Sequence, residues 1–349
     1  MCISHFYRMK FLAFKCFLII VVTTKHGISS VNDVSRKRKI IIDTDAGGDD
    51  AVGILLALKY ESAEREIEII AITCTYGNTN ISNVEVNIQK ILTIAGRNDI
   101  PIYSGAHKPL IKKWAPTHYF GEDGMNDFKF NETITVKINK SQHAATAMAD
   151  LVKTYPGEVT IIALGPTTNI ALAISLDPEF ITNVGQLVVM GSTITGWGNI
   201  SPGVDFNFGS DPDSNSILME STKKPIILVP REVSLSSPMY LKWRKIILGN
   251  INSSSINFLN KAENIFQETK NLYWSSADPR TVAIALWPND IVNTNYLKLQ
   301  IIPIREGEGR GGILVERNIK ELKSFNALTA ITMNVEKFQK ILIQYLSIN

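Results

Sequence analysis

Short apolar runs recur along the chain from Lys39 onward, and the segments between them space their apolar residues as a helix does. Five β-branched runs predict strands: Ile40–Asp43, Ile67–Cys74, Val159–Leu164, Gln186–Met190 and Ile226–Val229. Five intervening segments predict helices: Ala51–Tyr60, Val84–Ala95, Ala144–Tyr155, Ile170–Ser175 and Asp213–Glu220. The strands are apolar on both faces and alternate with helices. We therefore expect an α/β fold with an open, mostly parallel sheet and helices on both of its faces.

The second half of the chain continues this pattern less regularly. A helical region is predicted over Ser254–Leu286, followed by a strand-like tail and a final helix at Val335–Leu346. The Gly-rich run Gly307–Gly312 has no strand before it and no helix after it, which predicts a turn and not a phosphate-binding loop. No repeat or low-complexity linker divides the sequence, so residues 38–349 are predicted to form a single domain.

The N-terminal segment follows a different pattern. Lys10 and Lys15 precede an apolar core at Cys16–Val22, and the small residues Gly27, Ser29 and Ser30 follow. This is the pattern of a secretory signal peptide, and the apolar core is too short for an ordinary transmembrane helix. We expect a signal peptide at residues 1–29, a mature chain beginning near Ser30, and a secreted protein without membrane association after its removal.

Composition and charge narrow the class of protein. The chain has 349 residues, 45% of them hydrophobic, and a net charge of +3 whose only dense basic run is Arg36–Lys39, so a nucleic-acid partner is not expected. Signal removal would leave Cys74 as the only cysteine; it lies in an apolar run, which indicates a core thiol. Five sequons are compatible with a secreted glycoprotein: Asn80, Asn131, Asn139, Asn199 and Asn252.

The strongest chemical signal is the stretch Asp43–Asp50, which places four aspartates and two glycines directly after the first predicted strand. A single aspartate there would serve as a helix cap. Four aspartates repel one another unless a cation neutralises them, and a set of oxygen ligands suits Ca²⁺ or Mg²⁺ rather than Zn²⁺. In parallel sheets ligands bind where strands end. We therefore expect a metal site in this loop.

The same stretch resembles a motif of the calcium-dependent, inosine-uridine preferring nucleoside hydrolases, in which it reads DTDxGxDDA. Further segments resemble that family in the same order, and the likeness extends from about Lys39 to the C-terminus: Thr75–Asn78, Leu164–Ile170, Val188–Gly191, Asn199 with Asp205–Asn207, Asp211–Pro212, Asp278–Pro279 and Asn334–Phe338. The resemblance implies the nucleoside hydrolase fold, with a Rossmann-like core, over residues 38–349.

The resemblance also implies roles for individual residues. The ligands of Ca²⁺ would be the carboxylates of Asp45, Asp50 and Asp278 and the backbone carbonyl of Thr168. The substrate ribose would be held by Asp49, Asn78, Met190, Asn199, Asp205 and Asn207. Asp45 would be the general base that deprotonates a water, which Ca²⁺ orients together with the ribose diol. Clustered carboxylates would stabilise the positive charge that develops on the sugar.

Two positions depart from the family pattern. Ala277 stands where many members have a histidine that helps to protonate the departing base, and Asp205 stands where the family usually has Glu. Some purine-specific relatives stack the base between aromatic rings instead. Four aromatic residues lie in or near the segments that should frame the base: Tyr119, Trp197, Tyr273 and Trp274. Together they predict a preference for purine nucleosides.

Three functional hypotheses remain open. The first is a secreted, Ca²⁺-dependent nucleoside hydrolase. The second is a secreted nucleoside-binding protein that has lost catalysis, for which Ala277 is the supporting feature. The third, a metal-dependent phosphatase or sugar-nucleotide transferase, uses only the Asp43-Thr44-Asp45 triplet and gives the downstream Asn and Asp residues no role. A homo-oligomer is compatible with the sequence.

Overall fold

The computed structural model describes residues 37–264, 270–292, 296–316 and 324–349. Apolar, β-branched runs form the strands, since such side chains pack well on a pleated surface. The strands are β1 Arg38–Thr44, β2 Ile67–Cys74, β3 Ile102–Tyr103, β4 Ile138–Asn139, β5 Val159–Ala163, β6 Gln186–Met190, β7 Ile226–Val229, β8 Leu297–Pro303, β9 Ile313–Glu316 and β10 Ala327–Thr329.

Helices connect most of these strands, several of them starting at polar caps. Asn80, Asp211 and Asn334, for example, each accept a hydrogen bond from a backbone N–H of the first helical turn. The helices are α1 Gly48–Glu64, α2 Ile81–Ala95, α3 Ala144–Thr154, α4 Thr168–Leu176, α5 Phe180–Asn183, α6 Phe206–Ser210, α7 Pro212–Ser221, α8 Glu232–Ser236, α9 Leu241–Trp243, α10 Ser254–Ala262, α11 Asp278–Leu286 and α12 Val335–Leu346; a π-helical turn spans Arg244–Leu248.

The ten strands of the described residues form one sheet with the order β4-β3-β2-β1-β5-β6-β7-β10-β8-β9. Every pairing from β4 to β10 is parallel, and only β8 pairs antiparallel with its two neighbours. The predicted open, mostly parallel sheet is therefore confirmed. Since β1 lies between β2 and β5, its carboxyl end is flanked by the loops that leave those two strands.

Apolar side chains cover both faces of the sheet. Ile40 and Ile42 of β1 belong to one buried cluster, with α1, α2, α11 and α12, whereas Ile41 belongs to a second cluster with α3, α4 and α7. A strand buried on both faces needs the continuous apolar run that β1 has. Residues 36–349 form one compact unit.

Three sequence predictions gain detail from the structure. The helical region predicted over Ser254–Leu286 contains two helices at its ends, α10 Ser254–Ala262 and α11 Asp278–Leu286. The predicted turn at Gly307–Gly312 is confirmed, since it joins the antiparallel strands β8 and β9. Cys74 is buried and free, as expected for a core thiol. The predicted signal peptide lies outside the described residues.

No helix in the described ranges has both the length and the apolar character needed to cross a membrane.

Candidate metal and ligand site

The loops that leave four adjacent parallel strands meet at one edge of the sheet. In the order β2, β1, β5 and β6, they carry Asn78, Asp45–Asp50, Thr168, and the segment from Ser192 to Asn207. A fifth contributor is Asp278, the first residue of α11, which packs along α1. The close approach of these two helices depends on Gly53, where a Cβ would lie 3.3 Å from the backbone of Asp278.

Three carboxylates converge at this edge. Asp49, Asp50 and Asp278 each place a carboxylate oxygen within 4.8 Å of the others; Asp50 and Asp278 are buried and Asp49 is partly buried. The carboxyl groups of Asp50 and Asp278 are hydrogen-bonded to each other. Burial, followed by the charges of the neighbouring aspartates, raises the pKa of Asp278 well above its ordinary value and that of Asp49 to about 7. The ionised carboxylates of this cluster therefore repel one another, and a bound cation would offset that repulsion.

The loop from β1 to α1 fixes the orientation of Asp50. Thr44 Oγ1 donates to Asp50 Oδ1 at 2.5 Å, and the backbone N–H of Gly47 donates to Asp50 Oδ2 at 2.9 Å. Asn78 Nδ2 reaches the same Oδ2 from the loop after β2, at 3.1 Å. A side chain at Gly47 would collide with Asn78, since a Cβ there would lie 2.5 Å from Asn78 Nδ2.

Asp45 occupies a slot between two glycines. A Cβ at Gly77 would lie 2.0 Å from Asp45 Oδ2, and one at Gly165 would lie 2.7 Å from Asp45 Oδ1. The backbone N–H of Asn78 donates to Oδ2 at 2.7 Å, whereas Oδ1 is buried and has no hydrogen-bond partner among the described residues. Burial, followed by the charge of Asp50, raises the pKa of Asp45 well above its ordinary value. A hydrogen bond thus fixes Oδ2 of Asp45, whereas Oδ1 is available to a ligand.

Asp43, the first aspartate of the stretch, points away from this cluster. It accepts from Thr73 Oγ1 at 2.7 Å and from Asn169 Nδ2 at 2.8 Å, and Asn169 Nδ2 also donates to the carbonyl of Cys74. Burial raises the pKa of Asp43 to about 7. This carboxylate ties β1, β2 and α4 together beneath the site.

Thr168 and Asn207 are both buried at the edge of the sheet. Thr168 Oγ1 donates to Asp211 at 2.7 Å, so the first turn of α4 is fixed to the start of α7. Asn207 Nδ2 donates to the carbonyl of Leu164 at 2.6 Å and contacts Met190 Sδ at 3.0 Å. The amide of Asn207 therefore links the ends of β5 and β6.

Asp205 lies buried at the start of α6. Its Oδ1 accepts from the backbone N–H groups of Ser192 and Asn207, at 3.0 and 3.1 Å, while Oδ2 is buried without a partner among the residues described. Burial raises the pKa of Asp205 to about 6. Asn199 is exposed, and its side-chain oxygen accepts from the backbone N–H of Phe206 at 2.8 Å.

Glu232, for which the sequence predicted no role, stabilises the loop that follows β6. Its Oε1 accepts four hydrogen bonds, from the hydroxyls of Thr193 and Thr195 and from the backbone N–H groups of Ile194 and Thr195, at 2.5–3.0 Å. Thr193 Oγ1 in turn accepts from the backbone N–H of Trp197. Burial by itself would raise the pKa of Glu232, but these donors outweigh it and the net pKa is lowered.

We expect Glu232→Gln to lower the free energy of unfolding by about 1–3 kcal/mol at pH 7, because several donors lose a charged acceptor. The pKa is depressed in the folded protein, so this contribution is complete above the ordinary value of 4.5 and is lost as pH falls through the lower folded value. Urea denaturation at pH 7 and pH 3 measures the difference. Glu220→Gln, at an exposed position of α7, is the control. A deficit for Glu232→Gln that is equal at both pH values would contradict the assignment.

The four aromatic residues predicted around a base fall into two groups. Trp197 and Tyr119 are 70% and 72% exposed, and Tyr273 is paired with Tyr240 at the surface. Trp274 is only 6% exposed: its Nε1 donates to Glu263 at 2.6 Å, and Arg244, which is ion-paired with Glu263, lies over its ring. Trp274 is thus a packing residue. Its neighbour in the sequence, Tyr273, is exposed, so the two adjacent aromatic residues have different environments.

The segment that carries Tyr119 covers the loop between β1 and α1. The ring of Phe120 leaves no room for side chains at Gly47 and Gly48, where a Cβ would approach it to 2.9–3.0 Å. Asn126 Nδ2 donates to the carbonyl of Ala262, which fixes this segment to the end of α10. Although the side chain of Tyr119 is largely exposed, partial desolvation, followed by the nearby charge of Asp49, raises its pKa. Tyr119 therefore stands at the mouth of the carboxylate cluster.

The donor set fits a hard cation. All the candidate ligands are oxygens, the carboxylates are buried together, and Asp45 keeps one buried oxygen without a partner within the described part of the chain. Carboxylate and carbonyl oxygens suit Ca²⁺ and Mg²⁺. Asp45, a predicted ligand, lies outside the group of three converging carboxylates, but its charge acts on Asp278; Asp49, predicted to hold ribose, lies inside that group.

Comparison with known proteins identifies a family whose sequence profile this chain matches. The profile of the family described as "Inosine-uridine preferring nucleoside hydrolase" matches residues 40–340. The inosine-uridine preferring nucleoside hydrolase of Crithidia fasciculata is 31% identical over 272 residues, which cover 76% of this chain and 83% of that protein. The probable uridine nucleosidase 2 of Arabidopsis thaliana is 37% identical over 188 residues, 53% of this chain and 56% of that protein.

Solved structures agree with this result. A structure described as an inosine-guanosine nucleoside hydrolase superposes with a TM-score of 0.81 at 28% identity, covering 89% of this chain and 99% of that one. The chain spans only 56–62% of the length of three curated relatives that it matches at 35–37% identity.

Proposed function

Because the chain belongs to the inosine-uridine preferring nucleoside hydrolase family, we propose that it hydrolyses the N-glycosidic bond of ribonucleosides to free base and ribose. The observation that carries the proposal is the convergence of Asp49, Asp50 and Asp278 beside the unpartnered oxygen of Asp45. Such a site combines ligands for a cation, a base for a water molecule and negative charge around a sugar.

Asp45 would act as the general base. The hydrogen bond from the backbone of Asn78 holds Oδ2, and the glycines at 77 and 165 leave the carboxylate its slot, so Oδ1 has a fixed position from which to accept a proton. As the glycosidic bond breaks, positive charge develops on the ribose ring. The neighbouring carboxylates would stabilise that charge without having to reorganise.

The proposed metal is Ca²⁺. Its ligands would be the carboxylates of Asp45, Asp50 and Asp278 and the backbone carbonyl of Thr168. Asp49 lies close enough to this cluster to contact either the metal or the ribose. When bound, the cation would supply the positive charge that orients the ribose diol and makes a nearby water easier to deprotonate. The all-oxygen donor set supports Ca²⁺ over a softer metal.

Binding of the base involves the exposed aromatic residues. Ala277 carries no acidic group, and its backbone N–H donates to Asp49 Oδ2 at 3.4 Å. Trp197 and Tyr119 could enclose a departing base between π-faces, which favours purines through their larger stacking area. The names of relatives support both base classes, uridine for the Arabidopsis protein and inosine with guanosine for the matched structure. We propose a purine preference from the two aromatic rings.

We expect Trp197→Ala to lower kcat/KM for inosine by roughly 10- to 100-fold, as the loss of one stacking contact predicts. Hydrolysis of p-nitrophenyl riboside should fall less than about threefold, because its activated leaving group does not need that contact. Trp274→Ala is the matched comparison. As a packing residue, it should lower the turnover of both substrates together. Equal losses of the two substrates in Trp197→Ala would disprove the stacking role.

The proposed reaction is tested by following the release of free base from inosine, guanosine, adenosine and uridine. Release of base supports the hydrolase, and the order of the four rates decides the purine preference. The alternative is a nucleoside-binding protein without catalysis, favoured by Ala277. It would bind nucleoside in the presence of Ca²⁺ and release no base from any of the four.

We further propose that the protein is secreted, on the basis of the basic and apolar pattern of residues 10–22. Cleavage near Ser30 would be found by N-terminal sequencing of protein recovered from the medium. An unprocessed N-terminus would exclude it. Asn199, part of the proposed ribose site, should carry no glycan.

A further inference from the structure

Arg280 of α11 carries a buried positive charge without a carboxylate partner among the described residues. Its side chain is fully buried, none of the ion pairs between those residues includes it, and Nε has no hydrogen-bond partner there. Burial lowers the pKa of Arg280 to about 10, so the guanidinium stays protonated at neutral pH. Burying a charge costs free energy that other contacts must compensate.

The guanidinium of Arg280 binds two backbone carbonyls. Nη1 donates to the carbonyl of Ser276 at 2.6 Å, and Nη2 donates to that of Ser237 at 3.0 Å. Ser237 is itself fixed, because its hydroxyl accepts from the backbone N–H of Met333 at 2.8 Å. The guanidinium also lies 5.7 Å from the centroid of the Phe338 ring, in α12. The planar fork of Arg280 therefore holds the carbonyl of Ser276 in one position.

The carbonyl of Ser276 and the N–H of Ala277 belong to the same peptide unit. A trans peptide is planar and its C=O and N–H point in opposite directions, so a contact at one end also sets the direction of the other. The N–H of Ala277 donates to Asp49 Oδ2 at 3.4 Å. Hydrogen bonds arranged in such a chain polarise one another. Arg280 is thus connected to Asp49 through a single peptide unit.

The start of α11 lacks a side-chain cap. Ala277 is the N-cap residue and makes no capping hydrogen bond with its side chain. Arg280 reaches back four residues to the carbonyl of Ser276 and fixes the chain where the helix begins. The first residue of that turn is Asp278, whose carboxylate converges with that of Asp49. The orientation of this turn therefore affects two members of the carboxylate cluster.

We propose that Arg280 is a positioning residue, which acts through the Ser276–Ala277 peptide to hold the carboxylate of Asp49 in place. In the proposed function, on which this inference rests, Asp49 contacts either the metal or the ribose. A shift of its carboxylate would then weaken nucleoside binding and slow hydrolysis. The role explains why the chain retains a buried guanidinium at a position where an apolar side chain would cost less to bury.

The test is a double-mutant cycle with Arg280→Met and Asp49→Ala in the full-length protein. Methionine is unbranched and flexible, so it fills the space of the arginine side chain without its charge or its donors. Arg280→Met should lower kcat/KM for inosine by roughly 3- to 12-fold, the effect of one hydrogen bond. In the Asp49→Ala background the same substitution should change kcat/KM by less than about twofold, because the carboxylate that Arg280 positions is absent.

Arg38→Met is the matched control. Arg38 donates to the carbonyls of Ala285 and Leu286, so it makes the same type of contact at the opposite end of α11. Its loss should lower Tm and change kcat/KM by less than about twofold. If Arg280→Met does not fold, Arg280→Lys replaces it in the cycle. Lysine keeps the charge but cannot span both carbonyls, so a smaller loss is expected, again only when the carboxylate of Asp49 is present.

The outcomes separate this inference from the proposed function. An equal loss with and without the carboxylate of Asp49, or no loss in either background, overturns the positioning role while the parent still hydrolyses inosine. If the parent hydrolyses no nucleoside, the same cycle is measured by calorimetry as the Kd for inosine in the presence of Ca²⁺. A weaker affinity in Arg280→Met that disappears in the Asp49→Ala background supports the positioning role. An equal effect in both backgrounds overturns it, and no binding of inosine by the parent overturns both proposals.

Discussion

Asp45→Asn is expected to lower the rate of base release by about 10²- to 10⁴-fold, the usual contribution of a general base. The amide is almost isosteric, so it should fit the slot between Gly77 and Gly165 and keep an oxygen for the backbone N–H of Asn78. What it loses is the ability of Oδ1 to accept a proton. Initial rates with saturating inosine, in the presence of Ca²⁺, measure the effect.

The control for this variant is Asp150→Asn, at an exposed position of α3, which should retain full activity. Calorimetric measurement of nucleoside binding by Asp45→Asn distinguishes the loss of the general base from a general disruption of the site. Activity of Asp45→Asn within tenfold of the parent would show that another group deprotonates the water. Asp49 would then be the next candidate, because it lies in the same cluster.

Removal of the proposed Ca²⁺ ion is expected to abolish base release and to lower thermal stability. Three carboxylates whose oxygens lie within 4.8 Å of one another repel when ionised, and a bound cation reverses that cost. At a free Ca²⁺ concentration one hundred times the Kd, the folded state should gain about 2.7 kcal/mol. Thermal unfolding after chelation, and again after Ca²⁺ is restored, measures this gain.

Asp278→Asn tests whether the effect of Ca²⁺ on Tm depends on this carboxylate cluster. Loss of one negative charge should stabilise the metal-free protein slightly, because the repulsion from Asp49 and Asp50 decreases. The same substitution should remove most of the Ca²⁺-dependent increase in Tm. Asp213→Asn, whose carboxylate pairs with Arg310 elsewhere, should retain the full increase. An identical Tm of the parent with and without Ca²⁺ would contradict the metal site.

The sequence predicted those features that depend on local patterns. Apolar runs such as Ile40–Asp43 and Ile67–Cys74 are strands, and their continuous hydrophobicity correctly indicated a sheet buried on both faces. Boundaries were less well predicted, since α1 begins at Gly48 and extends to Glu64. The inner bounds of α10 and α11, within the helical region predicted over Ser254–Leu286, were not predicted, because helical spacing of apolar residues does not reveal where backbone hydrogen bonds stop.

The candidate site was only partly accessible from the sequence. The crowding of Asp43–Asp50 indicated that carboxylates gather in one loop, but not which of them face the same point. The family resemblance implied that Asp278 joins Asp45 and Asp50. The structure places Asp278 beside Asp50 and Asp49, while Asp43 turns towards Thr73 and Asn169. Trp274 likewise could not be assigned as a packing residue before Arg244 and Glu263 were placed beside it.

The sequence by itself determined the strands β1, β2, β5, β6 and β7, the order of the motifs and the presence of an acidic loop at a strand end, because hydrophobic period and turn residues act over a few positions. Only the tertiary structure decided which side chains converge. That choice depends on the strand order β2-β1-β5-β6 and on the packing of α11 along α1, both of which join distant segments. The buried oxygens of Asp45 and Asp205 that have no partner among the described residues are likewise a consequence of tertiary packing, which a linear pattern does not contain.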